Sequence, residues 1–109
     1  MDYKKTGRLI AKKRKELGLT QAELSKKISV TPQAISLWER GERFPDASAL
    51  IMIYEALGLN PIELIAGVEM FDDELKAGIA KYMKKIYEDG NIKKEWRSSN
   101  RSGIDIFFI

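Results

Sequence analysis

Apolar residues recur at helical spacing along most of the chain, and each recurrence is bounded by a residue that starts or stops a helix. Between Thr20 and Gly41 this pattern predicts two short helices joined by a tight turn. Thr20 is a helix N-cap, and Glu23 three residues on completes a capping box. Leu24 and Ile28 share one helical face. Ser29-Val30 breaks the pattern. Thr31 is a second N-cap, and Pro32 takes the first helical position, where its missing N–H costs nothing. Ile35 and Trp38 form the inner face of the second helix, and Gly41 stops it. Two helices of about eight residues are not stable alone in water, so the rest of the chain must brace them.

The flanking segments supply the braces. Residues 4–17 read as a first helix, capped by Asp2 and ended by Gly18, with Leu9, Ile10 and Leu17 on its apolar face. Arg14 falls on that same face. A buried guanidinium needs an anionic partner, and Glu39, one turn after Ile35, borders the inner face of the third helix. An Arg14–Glu39 pair is therefore expected to tie the first helix to the third. After Phe44-Pro45, Asp46 caps a fourth helix over residues 47–57, with Leu50, Ile53, Tyr54 and Leu57 as its packed stripe. Gly58 stops it. Asn60-Pro61 opens a short fifth helix through Ile65, with Gly67 after it. The fourth and fifth helices are expected behind Trp38. The predicted fold is all-α, with a five-helix domain over residues 4–67 and a C-terminal segment over 68–109. In that segment Asp72 caps a sixth helix of residues 73–88, with Leu75, Ile79, Tyr82, Met83 and Ile86 on one side. Such a stripe covers either the five-helix domain or its twin in a second subunit. Residues 91–103 read as a polar linker. The last six, Ile104 to Ile109, form an apolar tail that packs on the domain, adds a strand to a partner or stays disordered.

Composition narrows the chemistry. The chain has no cysteine and no histidine, which removes disulfides, thiolates, the commonest metal ligand and the commonest general base. The acidic run Asp72-Asp73-Glu74 lies at a helix start, where the helix dipole accounts for it. No enzyme activity, cofactor, metal or small-molecule ligand is expected. No apolar run reaches membrane-span length and no signal-peptide core is present, so the expected location is the cytoplasm. The net charge of +3 hides an asymmetry. Residues 1–43 carry eleven Lys/Arg against five acids, whereas residues 44–109 carry eight against eleven. Basic excess at one end is the footprint of a polyanion binder.

The residues that fix the helices also carry a resemblance. LGLTQAEL, the small Ser25, VTPQAIS, WERG with a proline after it, and ALGLNP at the end of the fourth helix are similar to the Cro/cI-type helix-turn-helix family, also called the xenobiotic-response-element family. The resemblance spans residues 4–67 and implies a lambda-repressor-like DNA-binding domain. It departs in the turn, where the family usually has glycine and this chain has Ser29. A left-handed serine there costs on the order of 1 kcal/mol.

In this family the second helix of the motif is the reader, because the major groove admits one α-helix. The resemblance makes helix 32–40 that reader, with Pro32, Gln33, Ser36, Leu37 and Arg40 outward. Gln33 can pair bidentately with adenine, and Ala34 and Leu37 offer apolar contact to a thymine methyl. Pro32 stands where relatives often carry a polar base reader. Phosphate contacts are expected from Gln21 at the start of the second helix, from Thr31, Ser36 and Arg40 beside the reader, from Arg43 in the following loop and from Lys13 on the first helix. Relatives bind pseudo-palindromes as dimers, so double-stranded DNA and a second copy are the expected partners. The expectation is a transcriptional regulator, a repressor by operator occupancy. The alternative is an antitoxin or immunity-type protein that binds a partner protein through residues 68–109 and autoregulates its own promoter.

Overall fold

Asp2, Thr20, Thr31, Asp46 and Asn60 each turn a side-chain oxygen onto a following backbone N–H, and each begins a helix. The computed structural model describes residues 1–90, and among these it has helices α1 (Tyr3–Glu16), α2 (Gln21–Ile28), α3 (Pro32–Glu39), α4 (Ala47–Leu57), α5 (Pro61–Ala66) and α6 (Asp73–Gly90). No strand occurs among the described residues. The linker and apolar tail expected over residues 91–109 lie outside them. The capping box of α2 is complete: Glu23 N donates to Thr20 Oγ1 at 3.0 Å and Thr20 N donates to Glu23 Oε1 at 2.9 Å. That backbone bond from Thr20 holds the Glu23 carboxyl below the usual carboxylate range.

The chain forms two compact units, Met1–Met70 and a second that begins at Phe71. In the first, Ile10, Leu24, Ile28, Ile35, Ile53, Leu59 and Leu64 are fully buried and come from every helix and one loop. Here α3 packs chiefly on α1 and α2, while α4 and α5 pack on each other and on α1. This corrects the expectation that the fourth and fifth helices stand behind Trp38: they support α1 and α2, which in turn support α3. Leu17 also differs from expectation. It is the C-cap of α1 and 53% exposed, because the helix ends before it can turn that side chain inward.

Two close approaches lock α1 in place. A Cβ on Gly7 would lie 2.3 Å from the Trp38 carbonyl oxygen and 2.6 Å from that of Glu39, so only glycine lets α1 touch the end of α3. On a neighbouring side of α1, buried Thr6 donates its hydroxyl to the Leu64 carbonyl of α5 at 2.6 Å. At the other end of α5, Asn60 and Glu63 form a second capping box. Glu63 is fully buried; its Oε1 accepts from Asn60 N at 2.9 Å and its Oε2 from Met70 N at 2.8 Å. One carboxylate thus holds both the start of α5 and the chain that leaves it.

In the second unit, Leu75 N donates to Asp72 Oδ1 at 2.9 Å, the cap expected for α6. The helix runs through Gly90, two residues past its predicted end at 88. Its apolar residues do not share one environment. Met83 is buried, Ile79 and Ile86 are half-buried, and Leu75 and Tyr82 are 51% and 66% exposed. Ile79, Met83 and Ile86 form a narrow row at i, i+4 and i+7, with Tyr82 at its edge and Leu75 in the first turn.

Candidate nucleic-acid interface

The turn between α2 and α3 fixes the angle at which α3 leaves the domain. Ser29 closes α2 in the left-handed region, with φ 56° and ψ 44°, and is the one non-glycine residue with positive φ among the described residues. Val30 N returns to the Ser25 carbonyl at 3.0 Å, and Ser25 is buried where the helices approach. Glycine's usual place in this turn is therefore kept in geometry though not in residue. The strain of on the order of 1 kcal/mol is offset by the burial of Leu24, Ile28 and Ile35 on the two helices that the turn joins.

Beyond the turn, Thr31 accepts from Ala34 N at 3.1 Å and Pro32 begins the helix. Ile35 and Trp38 face the core, being 0% and 6% exposed. That leaves Pro32, Gln33 and Arg40 exposed, with Ala34, Ser36 and Leu37 half-buried. The helix end is tied off by the loop: Glu42 N and Arg43 N both donate to the Leu37 carbonyl, at 2.9 and 3.3 Å. Arg43 is exposed just beyond that anchor. Arg40 is exposed but engaged, its Nε 2.5 Å from Glu42 Oε2. Glu42 is a residue the sequence reading did not single out. No helical spacing marks it, because its bond to Arg40 depends on the conformation of the loop.

Behind α3, Arg14 and Glu39 meet. Glu39 accepts from Arg14 Nε at 2.7 Å and from Nη2 at 3.0 Å, while Arg14 Nη1 donates to the Leu19 carbonyl at 2.8 Å. Both side chains are about nine-tenths buried. The Glu39 carboxylate raises the Arg14 pKa above its ordinary value, against the opposing effect of burial. Gln21 joins this group, its Nε2 donating to Glu39 Oε1 at 3.0 Å. One carboxylate on α3 therefore gathers a guanidinium from α1 and an amide from the start of α2. The first-turn N–H groups of Gln21 and Ala22 lack intrahelical partners, and α2 opens there with its positive end.

Lys13 is placed otherwise. Its ammonium lies 2.8 Å from Glu69 and 3.6 Å from Glu16, and the bond to Glu69 raises its pKa. Lys13 follows Thr6 by two turns, so it shares the side of α1 that meets α5 rather than the side that meets α3. It is not gathered with Arg40 and Arg43. Among the described residues no group of acids is arranged to hold a metal ion. None of their helices is long and apolar enough to cross a membrane.

Comparison with known proteins bears on this geometry. The helix-turn-helix family model matches residues 10–64, from within α1 to within α5. Repressor protein C2 of Salmonella phage P22 is 37% identical over 67 residues, which are 62% of this chain and 31% of that protein. An uncharacterised HTH-type transcriptional regulator of Sinorhizobium fredii is 38% identical over 66 residues, 60% of this chain and 86% of the relative. Another, from Methanothermobacter thermautotrophicus, is 46% identical over 55 residues, 50% of this chain and 80% of the relative. The chain thus spans about a third of the phage repressor and most of the two shorter relatives. No solved structure matches it. With six helices and no strand among the described residues, and a matched segment that contains the α2–turn–α3 pair, the chain belongs to the Cro/cI-type helix-turn-helix family of transcriptional regulators.

Proposed function

We propose that this chain is a sequence-specific DNA-binding regulator that represses by occupying a pseudo-palindromic operator as a dimer. The observation that carries the reading is the outward row of α3. Gln33 and Arg40 are exposed and Leu37 is half-buried between them, while Ile35, Trp38 and the Arg14–Glu39 pair fix the helix from behind. Gln33 pairs with adenine N6 and N7, and Pro32, Ala34 and Leu37 line the rest of the base-facing surface. Arg43, Arg40, Thr31 and Ser36 meet phosphates on either side of the groove, and the start of α2 meets another through its free N–H groups and Gln21. Lys13 acts in the fold, through Glu69, rather than on DNA.

One such domain reads too few base pairs for a useful operator, so two copies on half-sites about one helical turn apart are required. The second unit supplies apolar surface for pairing, with Phe71, Leu75 and Tyr82 exposed. The same exposure also suits a partner protein, as an antitoxin-type regulator would need. Light scattering of the full chain separates these: a dimer supports self-association, and a monomer that co-purifies with a stoichiometric partner supports the second reading. The DNA-binding reading itself is tested by gel-shift selection from random duplexes with the full chain. Enrichment of an inverted repeat supports it, and recovery of no common sequence overturns it.

A further inference from the structure

The base-facing side of α3 is unusual in what it lacks. The helix PQAISLWE contains no Lys or Arg, and its one charged residue, Glu39, is turned inward onto Arg14. The guanidinium that follows, Arg40, is the C-cap and holds Glu42. Thr31 at the other end already accepts the backbone N–H of Ala34. Guanine presents two acceptors to the major groove and is read best by an arginine or lysine fork. No such fork stands on the first two turns of this helix. What does stand there, apart from the Gln33 amide and the Ser36 hydroxyl, is apolar: Pro32, Ala34 and Leu37. The major-groove edge of DNA carries one apolar feature, the C5-methyl of thymine.

We infer that this chain recognises its half-site through thymine methyl groups, packed against Leu37, Ala34 and Pro32 around one adenine read by Gln33, and makes no guanine contact from α3. The inference rests on the DNA-binding reading above and deepens it by naming the base chemistry. Leu37 is the central methyl reader. It follows Gln33 by one turn, and its carbonyl is held by two loop N–H groups, so the backbone that carries it is anchored. The recognised core is accordingly A·T-rich, and specificity comes from buried methyl surface as much as from hydrogen bonds.

The test uses the full chain and the duplex it selects. Each half-site thymine is replaced in turn by deoxyuridine, which removes only the methyl. Burial of one methyl-sized group corresponds to about a four-fold change in affinity. A loss of that size at two or more positions, with unchanged salt dependence, is expected. In Leu37→Ala, the thymine and deoxyuridine duplexes should bind alike at one of those positions. Because the deoxyuridine series alters only the DNA, it remains decisive if that variant folds poorly. Replacing half-site guanines by 7-deazaguanine should change affinity less than about two-fold, well below the tenfold or more of a lost bidentate contact. If selection yields a common sequence but deoxyuridine costs less than two-fold everywhere, or 7-deazaguanine costs tenfold, the methyl-reading inference is overturned while DNA binding stands. If selection yields no common sequence, the DNA-binding reading has failed first.

Discussion

Removing Glu39 should strongly destabilise the first unit, because this carboxylate is the anion that pairs with a buried guanidinium. In Glu39→Ala, Arg14 loses the 2.7 and 3.0 Å bonds and keeps only the Leu19 carbonyl, and Gln21 loses its acceptor. Breaking a buried pair from one side costs roughly 3–5 kcal/mol. Each side chain retains about a tenth of its exposure, so water reaches the orphaned guanidinium and the lower end, about 3 kcal/mol, is expected. A unit of 70 residues has ~4–10 kcal/mol in total. At roughly 4–8 °C per kcal/mol, the melting midpoint should fall by about 12–24 °C. The assay is circular dichroism at 222 nm in heat and urea, applied to Glu39→Ala and to a double-mutant cycle of Glu39→Leu, Arg14→Met and the pair. The pair of changes should recover most of the loss, since a well-packed apolar replacement leaves no uncompensated charge. A melt of Glu39→Ala indistinguishable from the parent, or a double variant as unstable as the sum of the singles, would refute the reasoning.

Three further outcomes follow from individual contacts. Ser29→Gly should stabilise the unit by about 0.5–1 kcal/mol, the relief of left-handed strain less the chain entropy of glycine, measured by urea midpoint. Glu42→Gln frees Arg40 for phosphate and removes a negative charge beside it, so affinity for all duplexes should rise a few-fold and fall more steeply with salt; an unchanged salt slope would count against that role. The Glu23 carboxyl is held below its ordinary value by the cap, so its contribution to stability is present above that ordinary value and is lost as pH falls through the lowered one. The stability difference between parent and Glu23→Gln should therefore shrink on acidification from pH 6 towards pH 3, and a constant difference would exclude the cap as its source.

The fold was largely legible in sequence because its punctuation is strong. Asp2, Thr20, Thr31, Asp46 and Asn60 all cap the helices they precede, and Ser29, Gly58 and Gly67 all end theirs in the left-handed region. Helical spacing also placed Arg14 and Glu39 on facing inner surfaces. What sequence spacing does not carry is the contact between distant helices. Gly7 reads as a weak point in a helix, and only the approach of the Trp38 and Glu39 carbonyls shows why it must lack a side chain. Lys13 reads in sequence as a phosphate contact because Glu69, which holds it, is 56 positions away in the chain. Glu63 could have been found, since it follows Asn60 by the same three residues that made Thr20 and Glu23 a capping box. The outward row of α3 was legible as positions, but the engagement of Arg40 by Glu42 depends on a loop conformation that no periodicity encodes.

The central claim is that α3 reads bases while the surrounding cations grip phosphate, and Gln33→Ala tests it most directly. Binding of this variant and of Arg43→Ala should be measured on the selected operator and on every single-base variant of it, across a range of salt. Gln33→Ala should lose about 1–3 kcal/mol on the selected operator and no longer discriminate at one base position, with its salt slope intact. Arg43→Ala should weaken all duplexes alike and flatten the slope by about one. A uniform loss for Gln33→Ala, with every base preference retained, would contradict the placement of α3 in the groove.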